Sequence, residues 1–232
     1  MRVSRRRIIF GFAAFALWAR GCETRGPILW GPGAGPGEVI TLNAQSTTVE
    51  HGGPGGLPYL DYCPPNQAVL GYQGCLGTAS VTVTPPTVTT DTAVIGCIQT
   101  LCGTLALDRD GGDQVATALD AALAVRGQGQ GAAWAQICPA DQVIVGFSGR
   151  TGSYVDQLAF RCTHFSRSLD DAGTWMTTAP TDLSPAGGDG GGPFSVESCP
   201  AGQMAIGSTI HAGALVDAFG LICGAPTLSD GG

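Results

Sequence analysis

A unit that recurs three times limits the possible folds of this chain more than any other feature. Each copy opens with Cys-Pro-x-x-Gln, continues with an apolar triplet and a Gly, and closes with Asp, five residues and Cys. The copies run from Cys63 to Cys97, from Cys138 to Cys162 and from Cys199 to Cys223. The first copy is longer, with its extra residues between Ser80 and Thr90. Units this short cannot each bury a face alone, so we expect them to pack around one shared core.

The residues inside each copy indicate β-strands rather than helices. The triplet after the Gln, for example Val143-Ile144-Val145, suits a buried strand. In the closing segment apolar residues alternate, as in Leu158 and Phe160, which is the period of a half-buried strand. The chain also contains 37 Gly and 15 Pro among 232 residues, too many for a helical bundle.

The cysteine count indicates disulfide bonds formed outside the cytosol. There are nine Cys, and setting aside Cys22 leaves eight, enough for four bridges. Bridges persist only in oxidising compartments. The repeat favours one bridge within each unit, which leaves Cys75 to pair with Cys102. The predicted bridges are Cys63–Cys97, Cys75–Cys102, Cys138–Cys162 and Cys199–Cys223.

The first 22 residues have the pattern of an export signal. Several Arg precede the apolar run Ile8 to Ala19, which is too short to span a bilayer permanently. The sequence 19–22 resembles a bacterial lipobox, although Arg20 stands where small or apolar residues are usual. We therefore expect Cys22 to be lipidated, the alternative being simple secretion after cleavage near Ala19.

Two further features of the N-terminal part complete the predicted domain organisation. Ser4-Arg5-Arg6 resembles the start of a twin-arginine signal, which leaves the export route open. Residues 23–45 are rich in Gly and Pro and are predicted to form a tether. The folded domain is predicted to span residues 46–232, with repeats at about 52–97, 127–162 and 187–223.

The charge distribution excludes several classes of partner. There is no Lys, and all 18 acidic residues follow residue 22, where only 6 of the 11 Arg lie. Such a surface repels nucleic acid and other polyanions, which need clustered cations. Neutral ligands or cationic surfaces remain as partners, and we expect contact with a membrane only through the lipid anchor.

A Gly-rich stretch followed by an aromatic residue precedes each unit. The stretches and aromatics are 52–56 with Tyr59, 127–131 with Trp134, and 187–192 with Phe194. Gly-Gly-x-Gly-Gly before an aromatic strand, with the segment Gly149 to Asp156 downstream, resembles the jacalin-like lectins. The threefold repeat with a bridge in each unit is similar to vitelline membrane outer layer protein, which shares the β-prism architecture.

This resemblance covers residues 49–227 and implies an all-β fold. It implies a β-prism of three antiparallel sheets with pseudo-threefold symmetry, stapled by disulfides. In that architecture the segments 114–126 and 174–184 are outer strands, although the first has the Ala-rich composition of a helix. Plant jacalins lack these bridges, which implies a different subfamily.

The same resemblance implies a carbohydrate site in two of the three units. Two segments match Gly-x-x-x-Asp, a motif in which jacalin-like lectins use the Asp to accept hydrogen bonds from sugar hydroxyls. The implied carbohydrate-binding residues are Gly152, Tyr154, Asp156, Gly188, Gly213 and Asp217. Asp91 in the first unit lacks the Gly and is not expected to bind. The alternative is a structural Asp that bonds to amides of its own loop.

Motifs for catalysis or metal binding are weak or missing. No Gly-x-Ser-x-Gly occurs, no catalytic carboxylate pair can be picked, and no Cys-x-x-Cys accompanies the three His. The acidic segment Asp108 to Asp113 has carboxylates that suit Ca²⁺ but no downstream Glu, so we read it as an exposed turn. We expect an exported, non-catalytic, lectin-like protein without metal or cofactor. The alternatives are a structural envelope or matrix protein and an enzyme acting on glycans.

Overall fold

The computed structural model describes residues 39–83, 88–108, 113–168, 174–178 and 180–229. Within these ranges every regular element is a β-strand. In chain order the strands are β1 (Val39–Thr47), β2 (His51–Gly52), β3 (Leu57–Tyr62), β4 (Gln67–Val83), β5 (Val88–Asp108), β6 (Gln114–Ala122), β7 (Arg126–Gly127), β8 (Ala133–Ile137), β9 (Val143–Thr151), β10 (Val155–Thr163), β11 (Phe165–Arg167), β12 (Trp175–Thr177), β13 (Thr181–Asp182), β14 (Ala186–Gly187), β15 (Gly192–Ser198), β16 (Met204–Ala212) and β17 (Val216–Ser229).

The N-terminal predictions fall largely outside the described residues. The signal segment, the lipidation site Cys22 and the tether up to residue 38 all lie there. The predicted end of the tether is wrong, because β1 begins at Val39 and takes in residues 39–45. The local sequence Val-Ile-Thr-Leu at 39–42 explains the difference, since β-branched and apolar residues favour a strand over a flexible linker.

The strands form three antiparallel sheets, each built around the hairpin of one repeat unit. Sheet I has the order β12-β11-β6-β5-β4-β8 with β7 beside β5, sheet II has β13-β10-β9-β15 with β14 beside β10, and sheet III has β1-β17-β16-β3 with β2 beside β17. In each hairpin the opening strand follows the Cys-Pro-x-x-Gln motif and the closing strand carries the last Cys of the unit. The closing strand pairs with an outer segment, and the opening strand pairs with the strand that carries the aromatic residue, which we call the aromatic strand. This order is a Greek key repeated three times, which confirms the predicted β-prism.

Both ends of the described chain meet in sheet III. β1 pairs with β17 from Val39 opposite Ser229 to Thr47 opposite Ile222. In sheets I and II the outer and aromatic strands follow the hairpin in sequence, whereas in sheet III they precede it by more than 140 residues. The N-terminal strands therefore complete the sheet of the last unit.

The start of each unit repeats the same backbone hydrogen bonds. The amide of the Gln donates to the carbonyl of the Pro three residues earlier, at 3.1, 3.2 and 2.9 Å in the three units. The residue before the Gln has positive φ in every unit: 64° at Asn66, 61° at Asp141 and 75° at Gly202. These residue types tolerate the left-handed region, so the turn explains the spacing of the Cys-Pro-x-x-Gln motif.

Two of the four predicted bridges are wrong. The structure contains Cys138–Cys162 and Cys199–Cys223 as predicted, but Cys63 bonds to Cys102 and Cys75 bonds to Cys97, in place of Cys63–Cys97 and Cys75–Cys102. Cys75 lies directly opposite Cys97 in the β4–β5 ladder, which brings their Cα atoms within 4.9 Å. The first unit therefore closes at Cys102 rather than at Cys97.

The three equivalent bridges join successive sheets. Cys63, Cys138 and Cys199 each follow the aromatic strand of one sheet, and each bonds to the closing strand of the next hairpin, with Cα–Cα distances of 5.6, 5.7 and 5.6 Å. The Cys75–Cys97 bridge instead lies within one hairpin. Four disulfides are typical of proteins in oxidising, extracytoplasmic compartments.

Residues of all three sheets form the interior. An aromatic cluster joins Tyr72 of sheet I, Phe147 and Phe160 of sheet II, and Phe219 of sheet III. Tyr72 stacks on Phe160 with ring centroids 4.2 Å apart, and Phe147 meets Phe219 edge to face at 5.0 Å. The three hairpins therefore share one core, as the repeat predicts.

A small polar group at this core shows how the units differ. Tyr72, Phe147 and Ser208 stand at the same position of their units, nine residues after the opening Cys. The Tyr72 hydroxyl lies 2.9 Å from Ser208 Oγ, which lies 3.1 Å from Thr100 Oγ1. Burial raises the pKa of the Tyr72 hydroxyl well above its ordinary range, so it stays protonated as a hydrogen-bonding group.

The predicted outer strands are confirmed. The Ala-rich segment 114–126 forms β6 and β7 along β5, and 174–184 contains β12 and β13. In β6, pairing with β5 from Leu101 to Asp108 overrides the helix propensity of its Ala and Leu residues.

Candidate functional site

The Gly-rich loops and the Gly-x-x-x-Asp loops come together in pairs at one end of the sheets. Site II combines Asp156 with the loop Gly187 to Gly191, and site III combines Asp217 with the loop Gly52 to Gly56. In both, a glycine amide donates to the main-chain carbonyl of the Asp at 2.9 Å, from Gly188 in site II and from Gly53 in site III. Each site therefore has the same backbone frame.

The side chain of each Asp explains why its partner loop is glycine. A Cβ on Gly190 or Gly191 would overlap the Asp156 carboxylate, and a Cβ on Gly55 would overlap that of Asp217. Gly191 also has a φ of 58°, which side chains rarely adopt. The Gly-rich stretches of sites II and III thus cover a carboxylate and are not linkers.

The mouth of each site lies between its two loops. A Cβ added at Gly152 would be 3.7 Å from Asp156 Oδ2 and 3.6 Å from the Gly191 Cα, both ordinary contacts. At Gly213 the corresponding distances are 4.0 Å to Asp217 Oδ2 and 3.8 Å to the Gly56 Cα. A ligand atom of similar size therefore has room beside the second carboxylate oxygen in both sites.

Both carboxylates are largely buried, with 6% of Asp156 and 7% of Asp217 exposed. Burial raises the pKa of each carboxyl above its ordinary value. For Asp156 the charge of Arg150 and a hydrogen bond from the Gly152 amide oppose the rise of the pKa. For Asp217 the Gly213 amide and His211 do so.

Two neighbouring side chains distinguish site II from site III. Arg150 and His211 both stand twelve residues after the opening Cys of their units. Arg150 Nε donates to the Gly190 carbonyl and Nη2 to the Gly191 carbonyl, both at 2.8 Å, so it ties the glycine loop of site II to β9. His211 Nε2 instead lies 3.5 Å from Glu50 Oε2.

The loops that carry the Asp residues share one further bond. The Gly152 amide donates to the Tyr154 carbonyl at 3.0 Å, and the Gly213 amide donates to the Leu215 carbonyl at 2.9 Å. Tyr154 is half-buried in this loop, which is where the sequence predicts a ring for stacking.

The first unit has no carboxylate at this position. Counting six residues back from the closing Cys102 gives Gly96, which replaces the Asp of the other two units. The loop Gly127 to Gly131 packs there as in the other units, with the Gly129 amide donating to the Gly96 carbonyl at 3.1 Å. Asp91, predicted as the equivalent Asp, lies farther along the hairpin, where Ser80 Oγ donates to it at 2.7 Å. That equivalence is therefore wrong, because it followed from the wrong closing Cys.

The structure thus brings the predicted residues into two groups: Gly152, Tyr154, Asp156 and Gly188 in site II, and Gly213 and Asp217 in site III. Sequence reasoning missed Arg150, His211 and the glycines that cover the carboxylates. The signal for Arg150 and His211 was their equal distance from the opening Cys, and the signal for the glycines was the runs of Gly. Neither signal says which loop meets which Asp.

The aromatic residue before each unit packs inward and is not part of a site. In two units the aromatic ring contacts the side chain that precedes a glycine loop. The Phe194 ring stacks on the His51 ring with centroids 3.9 Å apart, and Arg126 Cζ lies 4.2 Å from the centroid of the Tyr59 ring. Each of these partners is also bonded to an acidic residue, His51 to Glu197 and Arg126 to Asp61. These contacts fix the residues that directly precede the glycine loops.

Two general features bear on the kind of site. Among the described residues, no three His, Cys, Asp or Glu side chains are grouped so that they could hold a metal ion. The part of the chain that the structure describes also contains no helix long and apolar enough to cross a bilayer.

No protein-family model and no curated protein sequence matches the chain. Among solved structures it is similar to jacalin-related and other lectins. Calystegia sepium agglutinin is 16% identical over 78% of this chain and 97% of its own, with a TM-score of 0.43. A Malaysian banana lectin is 16% identical over 80% and 100%, with a TM-score of 0.46. A mannose-binding jacalin-related lectin from Ananas comosus is 17% identical over 78% and 99%, with a TM-score of 0.44. The β-prism assignment rests on the strand order and register of this chain, and the likeness to vitelline membrane outer layer protein stays a prediction.

Proposed function

We propose that this protein is a non-catalytic, lectin-like protein that binds neutral carbohydrate at sites II and III. The observation that carries the proposal is the pairing of a Gly-x-x-x-Asp loop with a glycine loop, made twice from segments distant in sequence. A mere linker has no reason to cover a carboxylate in the same way at two places.

The chemistry of the two sites suits a sugar. Neighbouring hydroxyl groups of a sugar both donate and accept, so they match a carboxylate flanked by backbone amides. Hydrogen bonds to a charged acceptor contribute about 1.5–3 kcal/mol each, enough for the weak affinity of a shallow site. Tyr154 offers an aromatic surface for the C–H face of the ring.

The acidic surface favours a neutral ligand over an anionic one. From residue 22 onward the chain has 18 acidic residues and 6 Arg. An anionic polysaccharide or a nucleic acid would be repelled at long range. We therefore propose neutral glycans or polysaccharides as partners.

A structural role in an envelope or matrix is the second candidate. Its support is the burial of Asp156 and Asp217, each of which has a hydrogen bond from an amide of its own loop. An Asp bonded in this way can have a purely structural role, which is to hold the loop. Three bridges between sheets also suit a durable scaffold.

A glycan array on the purified protein separates these candidates. The variants are Asp156→Ala, Asp217→Ala and the double variant, with Asp91→Ala as the matched control because Asp91 is exposed and belongs to neither site. We expect a signal from neutral glycans that each single variant reduces, the double variant abolishes and the control keeps. A folded parent without any glycan signal supports the structural role. Release of reducing ends from a polysaccharide would favour an enzyme instead.

We also propose that the protein is exported and anchored through Cys22, with residues 1–22 removed or modified in the process. The four disulfides support export, because they require an oxidising compartment. Intact-mass measurement of the mature protein tests the anchor. We expect a lipid-modified N-terminus at Cys22 that Cys22→Ala abolishes, whereas an unmodified N-terminus near Ala19 indicates simple secretion.

A further inference from the structure

The first repeat unit has a long hairpin where the other two have short loops. Beyond Leu76 and Ile95, β4 and β5 stay paired as far as Val83 and Val88. In the second unit the pairing ends at Thr151 and Val155, and in the third at Ala212 and Val216. We refer to residues 77–83 and 88–94 as the arm.

The arm borders site II and not site III. A Cβ on Gly188 would overlap the Ala93 carbonyl, so the glycine loop of site II packs against the edge of β5 in the arm. At site III the equivalent neighbour of Gly53 is the short loop at Ser153. The two sites therefore differ in what borders their glycine loops, which is the arm at site II and the short loop at Ser153 at site III.

One hydroxyl of the arm lies beside the carboxylate of site II. A Cβ placed on Gly190 would be 3.5 Å from Thr92 Oγ1 and in direct overlap with Asp156 Oδ1, so both oxygens face the same small space. Thr92 Oγ1 donates to the Ala79 carbonyl at 3.3 Å, which fixes its direction and leaves its lone pairs as acceptors. At site III the Cβ position on Gly55 meets only Asp217 within 4 Å among its nearest atoms.

We propose that the arm gives site II a second subsite, in which Thr92 accepts a hydrogen bond from the next sugar residue of a neutral oligosaccharide. Site III, without the arm, takes a single terminal sugar. This inference rests on the proposed carbohydrate binding and adds that the two sites select ligands by length. Only site II then gains affinity as the glycan grows from one residue to two or more.

The test measures each site alone. Asp217→Ala leaves site II, and Asp156→Ala leaves site III. The probes are the methyl glycosides of glucose, mannose and galactose, and linear oligosaccharides of two to five of each residue. Calorimetry or competition against the best array glycan gives the affinity of both single-site proteins for each length.

Thr92→Val in the site II protein removes the hydroxyl and keeps the shape of the side chain. Thr78→Val is the matched control, because Thr78 is an exposed arm residue whose pairing with Ala93 places it on the opposite face from Thr92. We expect Thr92→Val to weaken oligosaccharide binding by five- to tenfold and to change monosaccharide binding less than twofold. The control should change neither.

The outcomes separate this inference from the proposed function. If Asp156 and Asp217 are needed for binding but affinity at site II does not rise with length, or Thr92→Val changes nothing, the second subsite is wrong and the lectin role stands. An equal loss for monosaccharide and oligosaccharide also overturns it, because Thr92 would then act on the first sugar. If no probe binds the folded parent, both proposals fail.

Discussion

Arg150 donates two hydrogen bonds to the carbonyls of the glycine loop that covers Asp156, at Gly190 and Gly191. The loop contributes carbonyl groups to a cation on one side and covers a carboxylate on the other. A side chain outside the mouth therefore sets the position of the loop that forms it.

We predict that Arg150→Ala weakens sugar binding at site II about tenfold, because two hydrogen bonds of about 0.5–1.5 kcal/mol each no longer order the loop. The measurement is a titration in the Asp217→Ala background. His211→Ala in the same background is the control, since His211 belongs to the other site. Equal affinities of the Arg150 variant and its parent would contradict this role.

Gly190→Ala is expected to lower the free energy of unfolding by about 1–3 kcal/mol, since the added methyl group overlaps the Asp156 carboxylate. Gly192→Ala is the matched control, because nothing lies within 4 Å of a Cβ at that position. Urea unfolding measures both. In the Asp156→Ala background the cost of Gly190→Ala should shrink, and a cost that persists there would place the strain elsewhere.

Gly152→Val is expected to block site II without destabilising the protein. A Cβ at this position has only ordinary contacts at 3.6 and 3.7 Å, so the fold tolerates it, but the added methyl groups fill the mouth beside Asp156 Oδ2. In the Asp217→Ala background we expect loss of glycan binding with an unchanged urea midpoint. Retained binding would show that the ligand approaches the carboxylate from another side.

The raised pKa values of Asp156 and Asp217 predict a defined pH dependence. Because the folded state holds these protons more tightly than the unfolded chain, the two groups add stability as the pH falls towards the raised values, and that contribution is lost as the pH rises past them. The double variant with Asp156→Asn and Asp217→Asn lacks this contribution. Urea unfolding of both proteins between pH 7 and pH 4 should show the parent gaining stability relative to the variant on acidification. Sugar binding should weaken over the same range, as the carboxylates become neutral.

We predict that disulfide mapping by proteolysis will reproduce the bridges of the structure. Peptic and chymotryptic cleavage without reduction, after Tyr72, Leu76 and Leu101, separates the four Cys of the first unit, and we expect peptides joined by Cys63–Cys102 and by Cys75–Cys97. Replacing Cys63 and Cys102 by Ala should lower the free energy of unfolding by about 2–4 kcal/mol, because the bridge closes a long loop between two sheets.

How much the sequence could tell differs between the fold and the site. The three copies of Cys-Pro-x-x-Gln predicted three units around one core, and the resemblance to jacalin-like lectins implied the prism. In the structure each motif forms a turn with one left-handed residue, which is a local property. The local sequence does not determine which Cys closes the first unit. Cys97 and Cys102 both lie on β5, and only the cross-strand register places Cys75 opposite Cys97.

The site depended even more on distant contacts. The Gly-x-x-x-Asp segments were visible, but Asp217 meets a glycine loop about 160 residues earlier in the chain, and no spacing rule links Gly55 to it. The role of Arg150 could not be read either, since an Arg in a strand is most often solvated and its partners here are carbonyl groups of another unit. The sequence therefore predicts which residues matter, and the topology decides how they are paired.

Because β1 lies along β17, site III is assembled from the two ends of the domain, Gly52 to Gly56 near the start and Asp217 near the finish. A chain synthesised from its N-terminus can complete site II before its last strands appear, but not site III. Site III therefore requires the whole domain, and any trimming that removes β17 takes away that site together with the third sheet of the prism.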